Sequence, residues 1–366
     1  MKILHIVETL KGGGAETFVR QLLPRLRDRG IDSRVVAMYA ANLTDQERAG
    51  LGCDVYEVHK RGRYDLGAPY RLFRIVKEVA PDIAHTHVVT GKYWGRACAA
   101  FAGVPVIVHT EHSSRPRIRP WEWPASFLLN RRTDAVITFS ERTAAFLRRR
   151  ERASKLFVIP NGIQVGAPPS ALQRSEARRA LQAGDKTVIG MVGNLLPVKN
   201  YDLALKAFSL LPPPMRATTR LDIFGAGPLD QHLRSRANDL GLNSSVAFWG
   251  FNSNVHELLA GFDLLLSTSL RESAPLSFLE AMNAGLPIIG TPSMGTLDIV
   301  DDGITGTVVR TWEAGDVAQA LKRAIDDPAW RVQASTSSWL RLKDNFDIEI
   351  VADRHLRLYE DLTRAG

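Results

Sequence analysis

Two doubly wound α/β domains in tandem are predicted for this chain of 366 residues. Three observations predict them. Short apolar runs alternate with amphipathic helices along the chain. A glycine turn follows the first apolar run of each half, at Gly12-Gly13-Gly14 and at Gly193. The series restarts after Pro168-Pro169-Ser170, the softest composition in the sequence.

The elements follow in order. Residues 3–7 are a buried strand, and a helix from about Ala15 to Arg29 carries Phe18, Val19, Leu22, Leu23 and Leu26 at helical spacing. Gly30 ends that helix, and Ser33–Tyr39 is the next strand. Tyr70–Val79 is helical, 82–85 a short strand and Gly91–Phe101 a helix of small residues. Val104–His109, 134–138 and Leu156–Ile159 are strands, with a helix over Glu141–Arg150. A linker and a peripheral helix occupy 160–185. The second series places strands at 188–192, 221–224, 246–249, 263–267, 287–289 and 307–309. Its helices are expected at 203–210, 229–240, 255–260, 276–284 and 317–325, and a last amphipathic helix spans 348–362. Domains are therefore expected over 1–165 and 166–345, with 346–366 as a closing helix. Two such domains leave a cleft at the carboxyl ends of their strands, where open α/β sheets bind ligands.

Composition excludes several classes. With 45% hydrophobic and 23% charged residues, the chain is neither disordered nor fibrous. Cys53 and Cys98 are its two cysteines, too few for a disulfide framework or a zinc knuckle. They read as small hydrophobes in a reducing compartment. The first residues are too quickly charged for a signal peptide, and no run of 18 apolar residues exists, so a cytoplasmic location is expected. Net charge is +8, and the basic excess lies wholly within residues 1–170. That half suits an anionic partner.

Several segments could carry chemistry. Consecutive glycines at 12–14 let backbone approach a ligand, and the helix amides beyond them favour phosphate. Gly193-Asn194 holds the same place in the second domain, with Lys199 near the following helix. A cation there opposes the helix dipole, which favours a functional role over a structural one. Gly225-Ala226-Gly227-Pro228 can lie against a base or be a tight turn. Between Ser267 and Met282, Glu272 precedes a helix and Glu280 lies within it. The loop residues Ser273, Ala274, Pro275 and Leu276 offer backbone amides, while carboxylates suit vicinal hydroxyls. His109, Glu111 and His112 follow a strand; their spacing is a poor metal set, and a histidine hydrogen-bonded to substrate is the better reading. His85 and His87 read as structural. No Asp-x-Asp occurs, so no carboxylate pair is offered to a divalent cation.

Taken together and in this order, the Gly-Gly-Ala-Glu turn, Pro81-Asp82-Ile83-Ala84-His85-Thr86-His87, Ile159-Pro160-Asn161-Gly162-Ile163, the 224–228 turn and the Glu272-to-Glu280 spacing carry a family likeness. The whole chain resembles the retaining glycosyltransferases of family 4, also called glycosyl transferases group 1. That family has the GT-B architecture, two Rossmann-like domains flanking a cleft. The resemblance implies transfer of a sugar from a nucleoside diphosphate to a hydroxyl, with the anomeric configuration kept and without metal or other cofactor; UDP is the expected nucleotide. It gives His112 contact with the transferred sugar, Lys199 the leaving diphosphate, and Glu272 the sugar hydroxyls. Residues 273–276 help Glu272, and Glu280 takes the ribose. Gly13 and Gly14 would approach the diphosphate or the acceptor, and Gly193, Asn194 and Gly227 line the donor. Relatives usually carry arginine where this chain has Asn194, so half of a diphosphate clamp is missing by charge. The usual aspartate after Asn-Gly-Ile is Gln164.

The acceptor is read from a second cluster. Arg115, Arg117 and Arg119 alternate with prolines before Trp121 and Trp123, and Arg131, Arg132 and Arg148–Arg150 add charge. Basic residues beside tryptophans suit an anionic membrane interface. No nucleic-acid motif accompanies them, so no nucleic-acid partner is expected. The expected enzyme is peripheral on the inner membrane face, with a lipid-linked or oligosaccharide acceptor, in surface polysaccharide or glycolipid synthesis. A nucleotide-sugar epimerase or phosphorylase on the same plan, and a non-catalytic nucleotide-sugar-binding relative, remain as alternatives.

Overall fold

A computed structural model describes residues 1–62, 64–113, 123–151 and 155–365. The chain divides into two compact units, Met1–Gln164 with Phe346–Gly366, and Val165–Asn345.

The first unit is a seven-stranded parallel sheet. Its strands are β1 (Lys2–Val7), β2 (Asp32–Ala37), β3 (Val55–Glu57), β4 (Ile83–His87), β5 (Val106–Thr110), β6 (Ala135–Thr138) and β7 (Leu156–Val158), in the order β3-β2-β1-β4-β5-β6-β7. Strand order reverses between β1 and β4, where a doubly wound sheet opens its crevice. On one face, Phe18, Val19, Leu22 and Leu26 of the helix Gly14–Asp28 pack with Ile348, Val351 and Tyr359 of the last helix. Backbone bonds Ile163 N–H to Phe346 O and Ile348 N–H to Ile163 O seat the returning chain. Arg29 adds a 2.6 Å ion pair to Asp353. The other face is covered by the helix Ala68–Val79 and by the segment 91–102, through Leu72, Val76 and Cys98.

The second unit is a six-stranded parallel sheet. It contains β8 (Thr187–Val192), β9 (Thr219–Phe224), β10 (Val246–Gly250), β11 (Leu264–Ser267), β12 (Ile288–Gly290) and β13 (Gly306–Val308), in the order β10-β9-β8-β11-β12-β13. Its switch point lies between β8 and β11.

Some elements differ from the sequence reading. β3 is a three-residue edge strand that carries no alternation. The expected helix at 91–101 opens with a π-helical turn, Gly91–Gly95, before the α-helix Arg96–Ala102. Gly91 and Gly95 leave room there for Thr86: a Cβ on Gly95 would lie 3.0 Å from its methyl. An 18-residue helix, Pro328–Asn345, has no counterpart among the expected elements. Cys98 is buried, but Cys53 is only partly covered. No helix among the described residues is long and apolar enough to cross a membrane.

Candidate functional site

In the second unit, the loops after β8 and β11 meet at the switch point. The β8 loop is built on backbone packing. Gly193 N–H donates to Phe224 O, and Leu195 N–H to Ala226 O. A Cβ on Gly225 would fall 1.9 Å from Gly193 O, and one on Gly227 would fall 2.6 Å from Leu195 O. Both glycines therefore serve loop-to-loop packing, whatever else they touch. Asn194 is exposed beside them.

Lys199 ends a 3-10 turn, Pro197–Lys199, and the helix Tyr201–Ser209 follows. It therefore lies ahead of the helix start expected for it. Its backbone is clamped from β11: Thr268 Oγ1 donates to Lys199 O (3.1 Å) and Asn200 O (2.9 Å), and Leu270 N–H donates to Val198 O. The clamp delivers Lys199 Nζ to Glu272 Oε1, an ion pair with side chains 23% and 15% exposed. Ser269 Oγ donates to the same Glu272 oxygen at 3.0 Å. Tyr201 sits beneath; its hydroxyl donates to Gly193 O at 2.8 Å. Burial, aided by the charge of Glu272, raises its pKa and keeps that hydroxyl protonated. Sequence reasoning missed Thr268 and Tyr201: each acts on a backbone carbonyl, Thr268 on residues far away in sequence and Tyr201 on Gly193, and no motif displays such a bond.

The helix Leu276–Asn283 begins after Pro275 without a side-chain cap. Its first amides have no intrahelical acceptor. Ser273 and Ala274 are half-buried in the loop ahead of it, whereas Pro275 and Leu276 are buried. Glu280 lines an open pocket of about 550 Å³ with His256 and Asn283. Burial raises its pKa, partly offset by His256, so its charge is held at a cost. That is not the solvent-facing glutamate of a plain helix.

In the first unit, the corresponding turn after β1 has Gly12 at φ +114°, and Gly14 is already helical. Glu16 folds back over this helix start: a Cβ on Gly13 would fall 2.2 Å from its Oε2. An anion arriving at Gly13 and Gly14 would meet that carboxylate. Burial raises its pKa despite a backbone hydrogen bond.

The histidines gather on one face at the β1–β4 switch point. His5 pairs in register with His85, and His87 lies two residues on, so all three share a face. His5 Nδ1 is 3.3 Å from His87 Nε2, and His87 Nδ1 is 3.2 Å from His112 Nε2. His112 is wedged edge-on against Phe139 and Phe18. Burial lowers the pKa of every one of these imidazoles, to about 3 for His5 and His112. His85 and His87 thus belong to a polar network rather than to plain packing. The backbone turns at Val88 (φ +53°), a strained value for a β-branched residue, directly after His87.

His109, Glu111 and His112 do not converge. His109 turns to the opposite face and meets Thr86 Oγ1 at 2.9 Å; Glu111 takes a buried ion pair from Lys92 at 2.9 Å. His5, His85 and His87 lie close enough to share an ion. Yet His85 has one nitrogen 2.6 Å from the Tyr359 hydroxyl and the other 2.7 Å from Thr110 Oγ1. Both of its ligand atoms are occupied, so the trio fits a hydrogen-bonded network better than a metal centre. Arg115, Arg117, Arg119 and Trp121 lie outside the described residues; Trp123 opens the helix Trp123–Arg131, and Arg131, Arg132, Arg148 and Arg149 are exposed.

Both halves of the chain are similar to known proteins. The family described as Glycosyltransferase Family 4 matches residues 12–166, and Glycosyl transferases group 1 matches residues 173–338. An Escherichia coli UDP-Gal:alpha-D-GlcNAc-diphosphoundecaprenol alpha-1,3-galactosyltransferase is 25% identical over 81% of this chain and 80% of its own. A Rhizobium meliloti lipopolysaccharide core biosynthesis glycosyltransferase, LpsD, is 24% identical over 98% of each chain. The crystal structure of Anabaena HepE in complex with UDP superposes with a TM-score of 0.87 at 20% identity, over 99% of this chain and 100% of that one.

Proposed function

This chain belongs to the group 1 glycosyltransferases of GT-B architecture, and we propose that it transfers a sugar from a UDP-sugar to a hydroxyl of a lipid-linked or oligosaccharide acceptor with retained anomeric configuration, without metal. The observation that carries this reading is the Lys199–Glu272 pair at the β8–β11 switch point.

The pair is a resting arrangement. An arriving diphosphate competes for Lys199, and its release frees Glu272 to accept hydrogen bonds from sugar hydroxyls. As the bond from C1 to the β-phosphate oxygen breaks, negative charge grows on that oxygen. Lys199 and the first amides of the helix Leu276–Asn283 stabilise it where it develops. The acceptor oxygen bonds to C1 on the same face, and its proton passes to the departing phosphate. That route demands orientation more than a strong base. Glu280 accepts from the ribose hydroxyls, and His112 hydrogen-bonds the transferred sugar. Glu16 over the first helix start favours assigning Gly13 and Gly14 to a hydroxylated acceptor rather than to the diphosphate. With Asn194 in place of arginine, Lys199 works as a single point charge.

The lipid-linked acceptor and a seat on the anionic inner membrane face draw support from the diphosphoundecaprenol relative and from the arginines of the first unit. Thermal-shift screening of UDP-, GDP- and ADP-sugars, followed by turnover, tests the donor. UDP release that requires acceptor and disappears in Lys199→Ala and Glu272→Ala supports the reading; transfer intact in both variants overturns it. Isomerised free UDP-sugar would instead identify an epimerase. Sedimentation with phosphatidylglycerol vesicles tests the seat, and binding indifferent to salt and lipid charge overturns it.

A further inference from the structure

The transfer chemistry proposed above uses His112 but not the two histidines behind it. His112, His87 and His5 form one chain, with His112 Nε2 3.2 Å from His87 Nδ1 and His87 Nε2 3.3 Å from His5 Nδ1. It ends inside the protein: His5 Nε2 is buried and has no hydrogen-bond partner among the described residues. Burial keeps all three imidazoles neutral near pH 7. A neutral imidazole donates through one nitrogen and accepts through the other. Both nitrogens of His87 are engaged, so every proton along the chain must point the same way.

Two polarities satisfy that condition. If protons point inward, His112 donates from Nε2 and the chain leaves a buried N–H on His5 Nε2 with no acceptor. If they point outward, His5 donates from Nδ1, His87 donates to His112 Nε2, and His5 Nε2 is left as a bare lone pair. An orphaned buried N–H is the rarer and costlier defect. The outward polarity therefore prevails.

We propose that the His5–His87–His112 chain fixes His112 as its Nδ1–H tautomer, so that it presents a hydrogen-bond donor, and that His5 and His87 are positioning residues for it. The chain also pins the ring of His112, since rotating it would break the bond to His87. For substrate, and here the inference rests on the assignment of His112 to the sugar, a fixed donor selects an oxygen lone pair on the transferred group. A substrate group able only to donate, such as an ammonium, is refused at that point.

Protein labelled with 15N-histidine tests the tautomer directly, with no ligand, by long-range 1H–15N correlation at pH 7. The His112 signal is assigned by its loss in His112→Gln. Wild type is expected to show Nδ1–H at His112. His5→Asn, whose amide places a donor near the former Nδ1, keeps that signature. His5→Phe removes the donor and gives a mixed or Nε2–H form. Donor kcat/KM falls about tenfold in His5→Phe and stays within about twofold in His5→Asn. An Nε2–H form in wild type overturns the proposal even if His5→Phe does not fold, and so does an unchanged tautomer in folded His5→Phe. A switched tautomer with unchanged kinetics supports the chain and overturns the placement of His112 on the sugar.

Discussion

The two sheets reverse strand order at equivalent places, but they furnish those places with opposite chemistry. At β1–β4, neutral buried imidazoles bond to one another and to hydroxyls. At β8–β11, a lysine and a glutamate form an ion pair that solvent can reach. The first arrangement is rigid because each ring is desolvated and satisfied mainly by its neighbours. The second is held by charge that a ligand of the right sign can take over. One topology thus supplies a positioned hydrogen-bonding surface in one unit and an exchangeable electrostatic clamp in the other.

The largest test of that contrast is acid. The folded-state pKa values are about 3 for His5 and His112 and about 4 for His355, a buried residue of the last helix, below the ordinary 6.5. The unfolded chain therefore binds more protons between those values. Stability is fully present above pH 6.5 and is lost as pH falls, steeply because several coupled histidines take up protons on unfolding. Hydrogen exchange at pH 7 and pH 5 should show the first unit losing protection well ahead of the second. Equal loss in both units would break the comparison.

Next in size is Lys199→Ala. Removing the charge proposed to meet the departing phosphate should cut turnover on the order of 10²- to 10³-fold. The thermal unfolding of the second unit should hardly move, because the pair is partly exposed. A large loss of stability with normal turnover would make the pair structural.

Glu280→Gln should divide function from stability. The donor KM should rise roughly tenfold, the worth of a hydrogen bond to a charged acceptor. Its folded pKa is raised by burial. Its contribution to stability is therefore greatest below the unfolded value near 4.5 and falls as pH rises through the folded one. At pH 7 the variant should melt higher than wild type in calorimetry. A lower melting temperature would mean that the carboxylate has a structural partner.

Asn194→Arg should give the smallest change. A second cation at this exposed position would raise turnover roughly two- to fivefold. Steady-state kinetics at low and high salt would read it, and the gain should shrink as salt rises.

Much of this was legible in the sequence, and what escaped had physical reasons. Twelve of the strands announce themselves as apolar runs, whereas Val55–Glu57 is half-buried throughout and gives no period. The helix Pro328–Asn345 buries Ala334, Ser338 and Leu342. Its middle buried position is a serine whose hydroxyl bonds Leu286 O, so the apolar stripe is broken where it would be read. Lys199 stood out by its place after the Gly193 turn, and Glu272 and Glu280 through the family resemblance that their spacing helps to carry. The clamp that joins the first two did not, because Thr268 acts on backbone 68 and 69 residues away. The histidine chain links residues 82 and 25 apart. A doubly wound sheet places β1 beside β4, but only the register of the two strands sets His5 opposite His85.

The missing side chains at Gly225 and Gly227 carry a consequence for redesign. Their neighbours, Gly193 and Leu195, lie where a methyl group would have to go. The segments 193–195 and 225–227 are thus one interlocked cassette, and neither can be transplanted from a homologue alone. This cassette accommodates change at outward positions such as Asn194, or by moving both strips of backbone together.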